Sequence, residues 1–267
     1  MRAMNFRGVV LDVDGTVVRG DELIPGAGDG LDALAAAGVK RVFVSNNPTK
    51  PPGAYVDRFA GVGLEVSPEE VITAGSVTAR YLREERPDDD LFVVGESGLV
   101  DILTDAGLSV VGADDSPDAL VASVDHEFDY DAMCQALWTL SDESVGFVGT
   151  DPDVVIPAVG RDVPGSGAVI NAIAGVAERE PDAVLGKPSE TAREMALERL
   201  GVPAASVLVV GDRLNTDIAL GERAGMTTVL VKTGVTDDAT LAESSVTPDY
   251  VLDSLGEIGG LLDELAE

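Results

Sequence analysis

The chain holds a single cysteine, Cys134, and a single histidine, His126, in 267 residues. One cysteine excludes an internal disulfide and a thiolate metal cluster. One histidine excludes paired-histidine metal motifs and argues against a Ser-His-Asp triad, so any acid–base chemistry leans on carboxylates. Lysine is scarce as well: Lys40, Lys50, Lys187 and Lys232 are the only four. No apolar run approaches the roughly 20 residues that span a bilayer. Met1 to Arg7 leads straight into a hydrophobic stretch without the apolar core of a secretory leader. A soluble, cytoplasmic protein is expected.

Carboxylates are abundant. Asp and Glu number 48 against 18 Lys and Arg, a formal net charge of −30. Such a surface repels nucleic acid and anionic membranes. Hydrophobic residues make up 45% of the chain, enough for a packed core. An acid-rich, lysine-poor yet well-cored chain resembles proteins of salt-loving microbes, and at about 1 M salt the screening length of ~3 Å removes most self-repulsion.

Apolar runs alternate with helical patterns along the chain. Val9-Val10-Leu11, Arg41 to Val44, Val71 to Thr73, Val207 to Val210, Thr227 to Val231 and Tyr250 to Leu252 read as strands; helices are expected over 25–38, 51–59, 76–83, 190–200 and 255–265. Between them lies a second strand–helix series, with strands at 91–94, 108–111, 119–124 and 145–148 and helices at 98–106, 130–140 and 165–177. Met133, Leu137 and Trp138 share a face of the 130–140 helix with Cys134 beside them, read as core or interface. A charged stretch, residues 84–90, reads as a linker. The expected organisation is a doubly wound parallel α/β core, residues 1–82 and 183–267, with a smaller α/β domain inserted at 83–182.

Four strand ends carry chemistry. The first run ends in Asp12-Val13-Asp14-Gly15-Thr16, and Gly15 lets the chain turn sharply. The second ends in Ser45-Asn46-Asn47-Pro48-Thr49, a hydroxyl with nearby N–H groups that suits a phosphoryl oxygen. Val184-Leu185 leads to Gly186-Lys187-Pro188, and Val207 to Val210 leads to Gly211-Asp212, with Asp217 five residues on. Within one sheet all four would converge on one edge, where open α/β sheets bind ligands. Clustered carboxylates need a compensating cation, and Mg²⁺ takes one or two carboxylates plus water and substrate phosphate. Taken singly, Asp212 and Asp217 would also suit a helix N-cap and first turn, and Lys187 a solvated turn.

In this order and spacing, the motifs resemble those of the haloacid dehalogenase superfamily across the whole chain. Ser45-Asn46-Asn47-Pro48-Thr49, the insert and Gly-Lys-Pro resemble its NagD and p-nitrophenylphosphatase branch, whose α/β cap is of the C2 type. The resemblance implies a Mg²⁺-dependent phosphatase acting on a small phosphomonoester. It implies that Asp12 attacks phosphorus, that Asp14 is the acid and then the base, and that Ser45 and the N–H of Asn46 hold the phosphoryl group. It also implies that Lys187 stabilises charge on Asp12 and the phosphoryl oxygens. Asp12, the backbone carbonyl of Asp14, and Asp212 would bind the metal, with Gly15, Thr16 and Asp217 in support. Asp14 sets the chain apart from the dehalogenases and the phosphate-pumping ATPases, which lack that acid. Where family members often carry Thr-Asn-x-Asp, this chain has Thr150-Asp151-Pro152-Asp153. A substrate-facing Asp151 would disfavour highly anionic leaving groups. His126 reads as a surface turn of the cap. Caps of this type often pair, so a homodimer through the cap is expected. A phosphotransferase or mutase sharing the aspartyl-phosphate, and a receiver-like signalling module, are the competing readings. The receivers are about half this length and have no cap-sized insert.

Overall fold

The computed structural model describes residues 6–158 and 160–266; residues 1–5, where the leaderless start was expected, lie outside them. By its internal contacts the chain divides into two compact units, one of residues 1–45, 52–72 and 193–267, the other of 46–51 and 73–192.

The first unit is built on a sheet of six strands. In spatial order they are Tyr250–Leu252, Thr227–Val231, Val207–Gly211, Gly8–Asp12, Lys40–Ser45 and Val71–Thr73. The first five pair in parallel, with Leu11 beside Val210 on one side and Asp12 beside Val44 on the other. Gly8–Asp12 and Val207–Gly211 are buried at every residue, as expected for central parallel strands covered on both faces. Their side chains pack with Phe43, Tyr55, Phe59 and Leu255 in one core, where the Phe43 and Phe59 ring centroids lie 4.7 Å apart. From Gly8–Asp12 the chain first steps outward through Lys40–Ser45 and Val71–Thr73. It later returns to the other flank, through Val207–Gly211, Thr227–Val231 and Tyr250–Leu252. The direction reverses between Gly8–Asp12 and Val207–Gly211, so the switch point of the sheet falls between the strands that end in Asp12 and lead to Asp212.

The second unit has its own sheet of five parallel strands, in the order Ala183–Val184, Gly146–Gly149, Ala119–Ala122, Asp90–Val94 and Ser109–Val111. Phe92, Leu120, Phe147, Ile170 and Ile173 form its core with the helices Tyr130–Leu140 and Ser166–Ala177. Gly75 and Gly98 explain why the short segment 46–51 goes with this unit. A Cβ at either would collide with the backbone carbonyl of Pro48 or Thr49, so both glycines admit that backbone at close range.

Four expectations change. Ala183–Val184 pairs with Gly146–Gly149, so Lys187 follows a strand of the second sheet and not of the first. A two-residue strand has no periodicity to declare its partner. Residues 84–90 lie inside the second unit, where Arg86 bridges Asp89 at 2.9 Å and Asp182 at 3.7 Å; the helix before them, Ala74–Glu85, belongs to that unit too. The helix Tyr130–Leu140 buries Ala136 and Leu140, whereas Trp138 is 67% exposed and is not core. Two hairpins, Val18–Arg19 with Glu22–Leu23 and Val155–Ile156 with Val163–Pro164, are too short to show in the pattern.

Candidate active site

Asp12 ends its strand with its carboxylate buried, and Thr16 one turn on donates to Asp12 Oδ2 at 3.1 Å. Asp212 follows directly on Val207–Gly211, and its Oδ2 accepts from the backbone N–H of Val235 at 2.6 Å. Asp217 stands in a wide π-helical turn, Leu214–Ile218, and its Oδ2 accepts from the N–H of Arg213 at 3.0 Å. It is therefore the first-turn acid that its place in the chain suggested, holding the backbone N–H at the start of the turn. It also joins the cluster: carboxylate oxygens of Asp12, Asp212 and Asp217 all lie within 4.8 Å of one another, and all three residues are buried. Each is tethered through one oxygen by a donor of the protein, which holds three like charges together at a fixed spacing.

The backbone around Asp212 is shaped for close approach. Gly15 has φ +94°, a left-handed conformation that favours glycine, and a Cβ there would stand 2.5 Å from Asp212 Oδ2. A Cβ at Gly234 would collide with the same oxygen. Thr233 Oγ1 donates to the Gly15 carbonyl at 2.5 Å, which ties the turn after Asp14 to the loop after Thr227–Val231. Three buried carboxylates at this spacing repel strongly in a medium of low dielectric, and a hard divalent cation with oxygen ligands relieves that repulsion. The donor set, all oxygen and all acidic, fits Mg²⁺ or a cation of similar hardness.

Asp14 is exposed and its side chain is not in the cluster. Its Oδ1 accepts from Arg58 Nη2 at 2.6 Å, and the same guanidinium donates twice to the Gly20 carbonyl. Ser45, buried at the end of the neighbouring strand, shares a 2.9 Å hydrogen bond with the hydroxyl of Tyr55. Burial, with the Asp14 charge adding to it, pushes the Tyr55 hydroxyl well above its ordinary range, so it stays protonated. Sequence reading missed Tyr55 and Arg58. The signal available was a Tyr and an Arg at i and i+3 on the helix that follows Ser45-Asn46-Asn47-Pro48, in a chain poor in bases.

Asn46 and Lys187 belong to the second unit and are bonded to each other there. The Asn46 side chain accepts from the Lys187 N–H at 2.6 Å and donates to the Lys187 carbonyl at 3.1 Å. Asn46 Nδ2 also donates to Asp153 Oδ2 at 3.3 Å. Lys187 is buried, not a solvated turn. Asp151 is buried too, with its Oδ1 accepting from the Asp153 N–H at 3.2 Å and its Oδ2 3.1 Å from Thr150 Oγ1. Its carboxylate is enclosed by the protein and not held out to solvent. Burial drives the Asp151 carboxyl up to about 7, against a hydrogen bond from Ser166 and with help from the Asp153 charge. His126 is exposed and lies against the Glu96 carboxylate on the surface.

Fold and site together define a doubly wound α/β protein with a cluster of buried aspartates at the switch point of a parallel sheet. A family model described as haloacid dehalogenase-like hydrolase matches residues 9–109, and a second, HAD-hydrolase-like, matches residues 184–258. The acid sugar phosphatase of Staphylococcus aureus is 33% identical over 252 residues, covering 94% of this chain and 96% of its own. Among solved structures, the p-nitrophenyl phosphatase from Archaeoglobus fulgidus superposes with a TM-score of 0.89 at 36% identity, over 96% of this chain and 99% of that one. NagD from E. coli K-12 superposes with a TM-score of 0.83 at 28% identity, over 94% and 98%. The chain belongs to the haloacid dehalogenase superfamily, in its NagD-like branch.

Proposed function

We propose that this phosphoric monoester hydrolase acts on small phosphomonoesters through an aspartyl-phosphate on Asp12, with a divalent cation, Mg²⁺, held by Asp12, Asp212 and Asp217 and by the backbone carbonyl of Asp14. The observation that carries the reading is the buried triad of carboxylates within 4.8 Å at the switch point. The bound cation would offset negative charge on the phosphoryl oxygens. An Asp12 carboxylate oxygen forms a bond to phosphorus as the ester P–O bond breaks, and Asp14 gives its proton to the departing oxygen. Water then attacks phosphorus, Asp14 takes the water proton, the Asp12–phosphorus bond breaks, and inorganic phosphate leaves. Ser45 and the Asn46 N–H bind the phosphoryl oxygens. Lys187 supplies positive charge to that group, a role supported by its burial and its Gly-Lys-Pro motif.

The insert serves as a cap that selects the leaving group. Substrate classes in keeping with the relatives' names are sugar phosphates and nitrophenyl phosphate; phosphoglycolate and nucleotides remain within the same chemistry. Among the described residues no helix is long and apolar enough to cross a membrane. We place the enzyme in the cytoplasm, and its charge of −30 suits a salt-rich one.

The test is phosphate release from a panel of phosphomonoesters with Mg²⁺ and with chelator, in low and molar salt. Turnover that needs the metal and traps ³²P on the protein supports the reading. Metal-independent turnover, or transfer to an added alcohol in preference to water, would replace it with a different hydrolase or with a phosphotransferase.

A further inference from the structure

One helix, Pro52–Gly61, touches two of the proposed catalytic groups. Tyr55 and Arg58 stand one turn apart on it. Tyr55 is fully buried and its hydroxyl meets Ser45 Oγ, while Arg58 reaches Asp14 with Nη2. The guanidinium is itself fixed: it donates to the Gly20 carbonyl through Nε at 3.2 Å and Nη2 at 2.6 Å, and it lies 5.8 Å from the centroid of the Tyr55 ring. Tyr55 in turn packs on Phe59, with ring centroids 6.4 Å apart, and so on the core under the sheet. A rigid chain of contacts thus runs from the core to an otherwise exposed carboxylate. Asp14 sits after the strand, in a turn with φ +94° at Gly15, and an exposed Asp there would sample several rotamers without such a partner.

We propose that Arg58 is a positioning residue for Asp14 and that Tyr55 is one for Ser45, so that a single helix sets both the proton donor and the phosphoryl-binding hydroxyl. For Tyr55 the reason is proton counting. Ser45 has one hydroxyl proton, and it can give that proton to a phosphoryl oxygen only when Tyr55 is the donor in their shared hydrogen bond. For Arg58 the reason is geometric: a fork held at Gly20 gives the Asp14 carboxylate one preferred placement. The inference rests on the roles proposed above for Asp14 and Ser45.

The leaving group separates the two roles. A nitrophenolate departs readily without a proton, whereas a sugar alkoxide depends on the acid. Wild type, Arg58→Gln, Arg58→Lys, Tyr55→Phe, Asp14→Asn and the Asp14→Asn/Arg58→Gln double variant are assayed on p-nitrophenyl phosphate and on a sugar phosphate, with circular dichroism and melting as folding controls. Arg58→Gln is expected to lower kcat on the sugar phosphate by about 10- to 100-fold more than on p-nitrophenyl phosphate, within the range of general-acid effects. Arg58→Lys, which keeps charge but not the fork, falls between. In the Asp14→Asn background Arg58→Gln is expected to add little, the non-additivity of a residue acting through another. Tyr55→Phe is expected to raise KM for both substrates by a similar factor and to leave their ratio unchanged. Equal loss on both substrates for Arg58→Gln, a gain of activity, or full additivity with Asp14→Asn overturns the Arg58 assignment. An unchanged KM in folded Tyr55→Phe overturns the Tyr55 one. If wild type hydrolyses neither ester, or Asp14→Asn spares the sugar phosphate, it is the underlying proposed function that fails.

Discussion

Each sheet carries buried carboxylates at a C-terminal strand end, and the two groups differ in how their charge is met. In the first unit Asp12, Asp212 and Asp217 gather three carboxylate oxygens within 4.8 Å, each residue tethered by a donor of the protein. In the second, Asp151 and Asp153 follow the strand Gly146–Gly149. There Asp151 is enclosed by hydroxyls: Thr150 Oγ1 lies 3.1 Å from its Oδ2 and 2.9 Å from Ser123 Oγ, and Ser166 bonds to it as well. Thr150 has one proton and cannot donate to Ser123 and Asp151 together. Its proton serves one of the two at a time. Spacing decides the outcome: three acids converging on one point suit a cation, while one acid deep among hydroxyls, beside a second acid, suits a proton.

The largest expected effect tests the first cluster. Asp12→Asn is expected to lower phosphate release by at least about 10⁴-fold, as loss of a nucleophile does elsewhere. Residual turnover within tenfold of wild type would remove Asp12 from the reaction. Next comes the cation. Mg²⁺ at about 100 times its dissociation constant should stabilise the folded protein by about 3 kcal/mol, seen as a rise in Tm. Asp212→Asn should abolish that rise and Asp151→Asn should leave it intact, which keeps the two clusters distinct.

The second cluster is tested by pH. The ordinary Asp value is 3.8 and burial raises Asp151 to about 7 in the folded protein. Folding therefore favours the protonated form. Its stabilisation is complete below about pH 4 and is lost as pH rises toward 7, at up to about 4 kcal/mol on a linkage basis. Asp151→Asn removes this dependence, so its Tm relative to wild type should climb between pH 4 and 7 and then level off. A constant difference would place the Asp151 charge on the protein at all these pH values. A smaller change is expected from Ser166→Ala, which deprives Asp151 of a hydroxyl and leaves the Val124 N–H, now 3.1 Å from Ser166 Oγ, without its acceptor. About 1–3 kcal/mol should be lost in a denaturant melt. Smallest of all, Trp138→Ala should change stability by no more than about 0.5 kcal/mol, because the side chain is exposed.

Much of this was readable along the chain. Val9-Val10-Leu11 ended by Asp12, and Val207 to Val210 ended by Gly211-Asp212, declare buried strands with acids at their ends, because an apolar run of that length is its own evidence of burial. The helix Glu190–Leu200 and the strand Thr227–Val231 fell where their patterns put them. Lys187 did not, since its two-residue strand takes its partner from the surrounding packing. Of the two places the pattern allowed Trp138, core and interface, the structure removes the core, because a helical stripe of large residues looks alike whether or not the chain's own fold covers it.

The amino-acid order by itself determined the alternation of strands and helices, the parallel class of the sheet, and the acids at the ends of its central strands. These rest on local periodicity and on residue chemistry, which neighbours in sequence supply. Only the tertiary structure decided that Asp217 completes the acidic triad, that Arg58 and Tyr55 meet Asp14 and Ser45, and that Asp151 is sealed away from solvent. A side chain's dielectric surroundings and hydrogen-bond partners come from segments distant in sequence, and no local pattern carries them.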